Sequence, residues 1–306
     1  MGYLEEQGCL FRDKEDFKRK MTNMVVDGPA SLFCITDFDF TLTKYYKDDG
    51  VSRADSCHKS LEESNSLLSA EYVSGAQALM QHYYPIEIDT SVSDAHKIPL
   101  MEEWAEKHGA LLIQAGLTRR ILNSVVSAAV SERRLWLRPG VGALLALLEQ
   151  QAVPTLVFSA GIYDVLEIAL CRGLDLSRLP RNVDAISNKC VFDGEGMDSP
   201  LQQWSQPTLH VLNKRARSFA THPFFATACR GRANLILLGD SMGDPKMSVG
   251  VEDGLANVIK LGFLNVNVNE RQAEFLSPQG FDVAILGDPD MRVISAVFQL
   301  IVIQLR

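Results

Sequence analysis

The sequence predicts an α/β fold: a Rossmann-like parallel sheet with a helical domain inserted after its first strand. Short apolar runs, typical of buried parallel strands, occur at 32–36, 155–158, 235–238 and 281–286. Helical patterns such as 140–151 and 162–172 lie between them, and this alternation indicates a parallel sheet with helices on both faces. The first two strand runs are separated by residues 37–154, far more chain than a crossover needs.

The long separation is explained by an inserted domain over residues 58–134. Apolar pairs such as Leu67-Leu68, Leu79-Met80 and Leu111-Leu112 supply helix faces there, and no strand pattern interrupts them. We therefore expect an α/β core domain over residues 1–57 and 135–306, and a helical cap domain over 58–134. A charged helix over 13–26 precedes the first strand and stops at Gly28-Pro29.

Composition and charge exclude several classes of function. The chain has 306 residues with 46% hydrophobic and 22% charged residues, which is typical of a folded globular protein. A formal net charge of −8 argues against a nucleic-acid surface, which would need a basic patch. No apolar stretch reaches the ~18 residues of a membrane helix, and the run 293–305 predicts only a packed helix. We expect a cytoplasmic protein without a membrane partner, whose six scattered cysteines are free thiols.

Two aspartates follow the first predicted strand, at the edge where open parallel sheets bind their ligands. Asp37 and Asp39 would hold two like charges close together, which is costly unless a cation neutralises them. A hard divalent ion such as Mg²⁺ suits such oxygen ligands. One carboxylate could then attack phosphorus while the other handles the proton. The alternative is a turn in which the aspartates only cap a helix.

Further polar residues occur where the other predicted strands end. Asp240 and Asp244 could bring two more carboxylates to the same cation, or could cap a helix that begins near Pro245. Ser159 offers a hydroxyl at a predicted helix N-terminus, where backbone N–H groups bind phosphate, or it is a plain N-cap. Lys214 supplies a cation, although alone it would read as an exposed helix lysine. Together these residues predict a phosphate-handling site.

These residues resemble the four motifs of the haloacid dehalogenase superfamily: Asp37-x-Asp39-x-Thr41, Ser159, Lys214 and Gly239-Asp240-x-x-x-Asp244. The second aspartate is typical of its phosphatase branch. Longer strings around these motifs, together with 83–89 and Glu103-Trp104 in the inserted region, are similar to the cytosolic 5′-nucleotidase III (pyrimidine 5′-nucleotidase) family. The resemblance covers roughly residues 30 to 305, and it implies a core of the haloacid dehalogenase type with an inserted helical cap.

The resemblance implies a role for each matching core residue. Asp37 would be the nucleophile and a Mg²⁺ ligand, and Asp39 the general acid and base whose backbone carbonyl also binds the metal. Asp240 would be the third protein ligand, with Asp244 supporting the metal site. The phosphoryl oxygens would be held by Thr41, Ser159, Ala160 and Lys214.

The resemblance also implies that the cap selects the nucleobase. Glu87 matches the glutamate that reads the base in this family, and His108 stands where the family has an assisting serine. Because histidine can donate or accept a hydrogen bond, this departure affects which base is preferred. The predicted substrate is a nucleoside 5′-monophosphate, with UMP and CMP favoured.

Two alternatives remain open at this stage. The first is a phosphatase for another small phosphorylated metabolite or for 7-methylguanosine monophosphate, differing only in the cap. The second is a catalytically silent binding protein, against which the complete set of acidic residues and Lys214 argues. The expected partner is a small nucleotide rather than a nucleic acid, and the expected state is a monomer or a weak homodimer.

Overall fold

The computed structural model describes residues 2–64, 67–89, 91–204 and 208–302, and its centre is a sheet of seven strands. The strands lie in the spatial order β1-β9-β8-β7-β2-β3-β4, and only the β1–β9 pair is antiparallel. Their bounds are β1 Leu10–Phe11, β2 Leu32–Thr36, β3 Thr155–Ile162, β4 Val183–Asn188, β7 Asn234–Gly239, β8 Asn257–Leu264 and β9 Val283–Leu286. The predicted α/β fold with a mainly parallel sheet is confirmed.

Most of the predicted strands agree with the structure, with two differences in length. β2 begins and ends as predicted, whereas β3 continues beyond Phe158 to Ile162 and β9 begins only at Val283. The sequence analysis missed β4 and β8, whose alternation of buried and partly exposed residues is less obvious than a continuous apolar run.

Helices surround the sheet, and five of them, α3 to α7, lie between β2 and β3 in the chain. The helices are α1 Gly2–Glu6, α2 Lys14–Asp27, α3 Cys57–Glu62, α4 Ala70–Ile88, α5 Asp94–Gln114, α6 Arg119–Ser131, α7 Val141–Gln150, α8 Tyr163–Gly173, α9 Val268–Phe275 and α10 Arg292–Val302. The helical insertion is therefore present as α3 to α6, although the boundaries 58 and 134 stay a prediction. The predicted run 293–305 is helical to Val302, and residues 303–305 lie outside the described residues.

The core has two apolar layers, one on each face of the sheet. In β2, Leu32 and Cys34 face the larger layer with α2, α7, α8 and α10, while Phe33 and Ile35 face the other layer. This alternation follows from the two-residue period of a strand. All four side chains are buried, so β2 is fixed from both faces and its carboxyl end is a rigid position.

A two-stranded hairpin lies outside the main sheet and packs against the inserted helix α5. It pairs β5 Cys190–Phe192 with β6 Leu201–Trp204. The indole of Trp204 lies so close to Gly109 of α5 that a Cβ there would be 1.7 Å from its Nε1 atom. Glycine at position 109 is therefore needed for this contact. The sequence analysis did not predict the hairpin.

No helix among the described residues is both long enough and apolar enough to cross a membrane.

Candidate active site

The first site loop continues directly from β2. Asp37 still pairs with the neighbouring strand, because its N–H donates to the Leu238 carbonyl at 3.0 Å. The chain then turns tightly, with the Leu42 and Thr43 N–H groups both donating to the Phe38 carbonyl. Phe40 adopts the left-handed conformation with φ 61°, which is uncommon for an aromatic residue and marks a constrained turn.

Arg138 stabilises this turn through hydrogen bonds to the turn backbone. Its side chain is fully buried and donates to the carbonyl oxygens of Phe40 at 2.7 Å and Thr41 at 2.8 Å. An ion pair of 2.6 Å with Asp288 balances its charge. Since a buried guanidinium must be paired and hydrogen-bonded, this network fixes the loop conformation. The sequence analysis missed Arg138, and nothing in the sequence around it signals a role at position 40.

Lys214 contacts one aspartate from the loop after β2 and one from the loop after β7. Its ammonium group lies 2.7 Å from Asp37 Oδ1 and 2.6 Å from Asp244 Oδ1. Burial alone would lower the pKa of Lys214, but the carboxylates of Asp244 and Asp37 raise it above the ordinary lysine value. Lys214 is therefore a buried cation inside the site, and the interpretation as an exposed helix lysine is wrong.

Asp244 organises the second acidic loop. Its Oδ2 atom accepts hydrogen bonds from the backbone N–H groups of Asp240 at 3.0 Å and Ser241 at 2.9 Å. Gly239 permits this close approach, since a Cβ there would lie 2.4 Å from the Asp244 Cβ. The short 3₁₀ helix Asp244–Ser248 then carries Pro245 in its first turn, as expected.

Three carboxylates form a group that fits a metal ion. Oxygen atoms of Asp37, Asp240 and Asp244 all lie within 4.8 Å of one another. Burial, followed by the other carboxylates, raises the pKa of Asp240 well above its ordinary value, and burial raises that of Asp37 to about 7 despite Lys214. The single positive charge of Lys214 does not balance the three carboxylates, so this buried group of oxygen atoms carries excess negative charge. Such a donor set fits a hard divalent cation.

The Asp39 side chain contacts the start of the inserted helices. Its Oδ1 atom accepts a hydrogen bond of 2.9 Å from the backbone N–H of Cys57, the first residue of α3. Burial raises the pKa of Asp39 to about 6, although the Cys57 hydrogen bond opposes the rise. A carboxyl group that titrates near neutrality can both donate and accept a proton. Nothing in the sequence around Cys57 predicts its contact with Asp39.

Ser159 lies near the site in a different setting from the one expected. It belongs to β3, whose pairing with β4 shifts register between Phe158 and Ile162, and helix α8 begins only at Tyr163. The placement of Ser159 at a helix N-terminus is therefore wrong, because the strand continues past it. Its buried hydroxyl accepts a hydrogen bond of 3.0 Å from the Gly161 N–H. Ala160 is half-exposed beside it.

Thr41 is fully buried and lies against the acidic group. Its hydroxyl donates to Asp240 Oδ1 at 3.3 Å. This contact links the loop after β2 to the loop after β7. Its predicted role in holding phosphate stays a prediction.

Glu87 faces the site from the inserted helices. It lies one residue before the end of α4, its side chain is half-buried, and its carboxylate is within electrostatic reach of Lys97, Arg53 and Lys214. Burial raises the pKa of Glu87 to about 7, and these three positive charges oppose the rise. The structure therefore brings Glu87 towards the residues that follow β2, which the sequence resemblance alone had implied.

His108 lies in a buried cluster of rings on α5. Its Nε2 atom is 3.2 Å from the Tyr72 hydroxyl, and its ring stacks on Trp204 and meets His58 edge-on. Burial, and then His58, lower the pKa of His108 well below its ordinary value, so the ring is neutral. Its Nδ1 atom is buried and has no partner among the described residues. Base reading by His108 stays a prediction, and the visible contacts of its ring are the hydrogen bond with Tyr72 and packing against His58 and Trp204.

The carboxyl edge of a parallel sheet, carrying a buried lysine among aspartates and facing inserted helices, defines a hydrolase of the haloacid dehalogenase class. A family model described as pyrimidine 5′-nucleotidase (UMPH-1) matches residues 40–302, and the chain belongs to this family. It is therefore a 5′-nucleotidase, an enzyme that hydrolyses phosphoric monoesters.

Relatives and a solved structure agree with this membership. The chain is 32% identical over 290 residues to 7-methylguanosine phosphate-specific 5′-nucleotidase A of Xenopus laevis, covering 95% of this chain and 94% of that protein. The Homo sapiens 7-methylguanosine phosphate-specific 5′-nucleotidase is 32% identical over 277 residues, which cover 90% and 87% of the two chains. The crystal structure of cytosolic 5′-nucleotidase IIIB bound to cytidine superposes with a TM-score of 0.84 at 26% identity, covering 98% and 95%.

Proposed function

We propose that this 5′-nucleotidase hydrolyses pyrimidine nucleoside 5′-monophosphates, UMP and CMP, through an aspartyl-phosphate formed on Asp37. The observation that carries the proposal is the buried Lys214, which contacts both Asp37 and Asp244, while Asp39 accepts a hydrogen bond from the Cys57 N–H. A nucleophilic carboxylate beside a fixed cation, with a second carboxyl group free to handle protons, suits phosphoryl transfer.

Asp37, Asp240 and Asp244, with the backbone carbonyl of Asp39, would hold a Mg²⁺ ion. When bound, this ion supplies positive charge that offsets the charge of the phosphate and of the carboxylates. The excess negative charge of the carboxylate group supports this assignment.

The chain's own residues account for the two chemical steps. An Asp37 oxygen attacks phosphorus, the bond from phosphorus to the ribose oxygen breaks, and Asp39 gives its proton to that oxygen. Asp39 then takes a proton from water as the water oxygen attacks the phosphoryl group, and the bond to Asp37 breaks. Lys214 and the loop at Ser159 and Ala160 hold the phosphoryl oxygens, where fixed charges and dipoles stabilise the transition state.

The base would be selected by the inserted helices, which form a cap over residues 58–134 in this proposal. Glu87 can accept a hydrogen bond from the ring N–H of uracil or from the exocyclic amine of cytosine. Glu87 is half-buried, and its carboxylate is within electrostatic reach of Lys214 and Arg53. This position supports contact with the base, which lies at the opposite end of the nucleotide from the phosphate. His108 would assist it from α5 as a neutral ring.

A second candidate substrate is 7-methylguanosine monophosphate. The curated relatives from Xenopus laevis and Homo sapiens are named for specificity towards this nucleotide. The methylated base carries a positive charge, which a carboxylate such as Glu87 would favour.

Phosphate release from a panel of substrates would test the proposal. The panel contains UMP, CMP, 7-methylguanosine monophosphate, ribose 5-phosphate and phosphoserine, each with Mg²⁺ and with excess EDTA. We expect fastest release from UMP or CMP and none in EDTA. Full activity in EDTA would contradict the metal site, and preference for a substrate without a base would contradict nucleotide selection.

A further inference from the structure

Arg53 lies in the loop between α3 and the turn that follows β2 (residues 37–43, here the catalytic turn). This loop folds back on itself, with a bridge between Tyr46 and Arg53 and a hydrogen bond of 2.8 Å from the Ala54 N–H to the Tyr45 carbonyl. The backbone of Arg53 is therefore held in place, although its side chain is exposed. Neither the sequence motifs nor the proposed mechanism uses this residue.

Three aromatic rings determine where the guanidinium lies. Its central carbon is 4.7 Å from the ring centre of Phe40, 5.4 Å from that of Tyr45 and 5.9 Å from that of Tyr84. Phe40 belongs to the catalytic turn, whereas Tyr84 lies on α4 three residues before Glu87. Cation–π contacts at these distances are favourable, so the charge is held between the catalytic turn and the base-facing helix.

The Arg53 charge reaches both ends of the site. The guanidinium lies over Phe40, which follows Asp39 in the chain, and over Tyr84, one helical turn before Glu87. Phosphate chemistry is assigned to the Asp39 end and base contacts to the Glu87 end. The part of a nucleotide that lies between its phosphate and its base is the ribose.

The guanidinium has unused donors. Within residues 2–64, 67–89, 91–204 and 208–302, no carboxylate lies within ion-pair distance of Arg53, and only ring contacts hold its head group. A guanidinium carries five N–H donors in a rigid plane. Cation–π contacts do not occupy these donors with an oxygen or nitrogen acceptor, so the donors remain available to a ligand.

We propose that Arg53 binds the ribose of the substrate, donating hydrogen bonds to its hydroxyl oxygens. The inference rests on the proposed function, because it places the phosphate at Asp37 and the base at Glu87. Arg53 would thus be a substrate-binding residue that distinguishes a ribose from a sugar without hydroxyl groups. The three surrounding rings orient the Arg53 guanidinium before substrate binds, which lowers the entropy lost on binding.

The test measures kcat and KM for two matched substrate pairs. One pair is CMP and its 2′,3′-dideoxy analogue, and the other is ribose 5-phosphate and 2-deoxyribose 5-phosphate. Arg53→Gln should lower kcat/KM for CMP about tenfold, mainly through KM, while the dideoxy analogue changes far less. Arg53→Lys should recover only part of the loss, because an ammonium lacks the planar set of donors.

Arg133→Gln is the matched control. Arg133 is also exposed, with its guanidinium 5.4 Å from the ring centre of Trp136, but it pairs with Asp48 away from the catalytic carboxylates. We expect this variant to leave the ribose preference unchanged. An equal effect of Arg53→Gln on both members of each pair, or no effect on either, would overturn the proposal.

The sugar phosphate pair separates this inference from the proposed function. If the wild-type enzyme prefers ribose 5-phosphate to every nucleotide, the proposed substrate is wrong. The ribose contact is then judged on the sugar phosphates alone, where loss of the ribose preference in Arg53→Gln supports it and retention overturns it.

Discussion

The two halves of the site differ in how their charges are held. At the carboxyl edge of the sheet, Lys214 and Asp244 are almost fully buried and bonded directly to each other. At the side facing the inserted helices, Glu87 is half-buried, Arg53 is exposed and only rings hold it. The comparison indicates that the groups proposed to react are fixed before substrate arrives, whereas the groups proposed to contact sugar and base remain available to it.

The physical reason is the difference in environment. Buried charges interact strongly but must be satisfied within the protein, so each has little freedom to serve another partner. Exposed charges cost little to leave unpaired and can exchange water for a ligand. Substitutions in the two halves should therefore have different consequences for turnover, stability and selectivity.

The largest expected effect is at Asp37. Asp37→Asn should lower kcat at least about a thousandfold for every substrate, because the amide is nearly isosteric but a poor nucleophile. Initial rates and a thermal melt would show lost turnover in a folded protein. Asp198→Asn, which alters an exposed ion pair with Arg120, is the control and should retain activity. Turnover close to wild type in Asp37→Asn would exclude the covalent mechanism.

Arg138, which supports the catalytic turn from the protein interior, should contribute to the free energy of unfolding. Arg138→Ala leaves the buried Asp288 with only Lys44 as a cationic partner among the described residues, and it removes the hydrogen bonds of Arg138 to carbonyls of that turn. The free energy of unfolding should therefore fall by about 3–5 kcal/mol. Denaturant titration followed by circular dichroism would measure it. Arg292→Ala removes an exposed pair with Asp290 and should cost less than about 1 kcal/mol. Similar losses in both variants would contradict the expected contrast between buried and exposed ion pairs.

Substitution of Glu87 tests the half of the site that faces the inserted helices. Glu87→Ala should lower kcat/KM for the preferred nucleotide by about ten- to a hundredfold, since one charge-assisted hydrogen bond is lost. Hydrolysis of p-nitrophenyl phosphate, which has no base, should change much less. Glu103→Ala removes an exposed glutamate that pairs with Lys107 on the same face of α5, and serves as the control. Equal losses on both substrates would show that Glu87 does not read the base.

The smallest expected effect is a pH dependence of selectivity. The pKa of Glu87 is raised to about 7, so its carboxylate is mostly ionised at pH 8 and mostly protonated at pH 6. The ratio of kcat/KM for CMP to that for p-nitrophenyl phosphate should therefore fall by up to about tenfold from pH 8 to pH 6, following the ionised fraction of Glu87. Taking the ratio removes ionisations that affect both substrates. In Glu87→Gln the ratio should be flat, and a wild-type ratio independent of pH would contradict the ionised role.

The sequence by itself determined the fold class and most of the acidic half. Apolar runs that end in Asp37 and near Asp240 placed these carboxylates on one edge, because parallel strands share their carboxyl ends. The long interval between the first two strands likewise determined the helical insertion. These features are local in the chain, so a pattern of neighbouring residues is enough to predict them.

Only the tertiary structure decided which distant groups meet. Arg138 reaches the turn at Phe40, Cys57 donates to Asp39, and Arg53 stacks on a ring of α4, all through contacts between separate segments. Ser159 shows the same limit, since pairing with β4 extended its strand beyond the point where local pattern predicted a helix. The sequence lists which charges are present, but burial and long-range packing decide which are paired, which are neutral and which remain free for substrate.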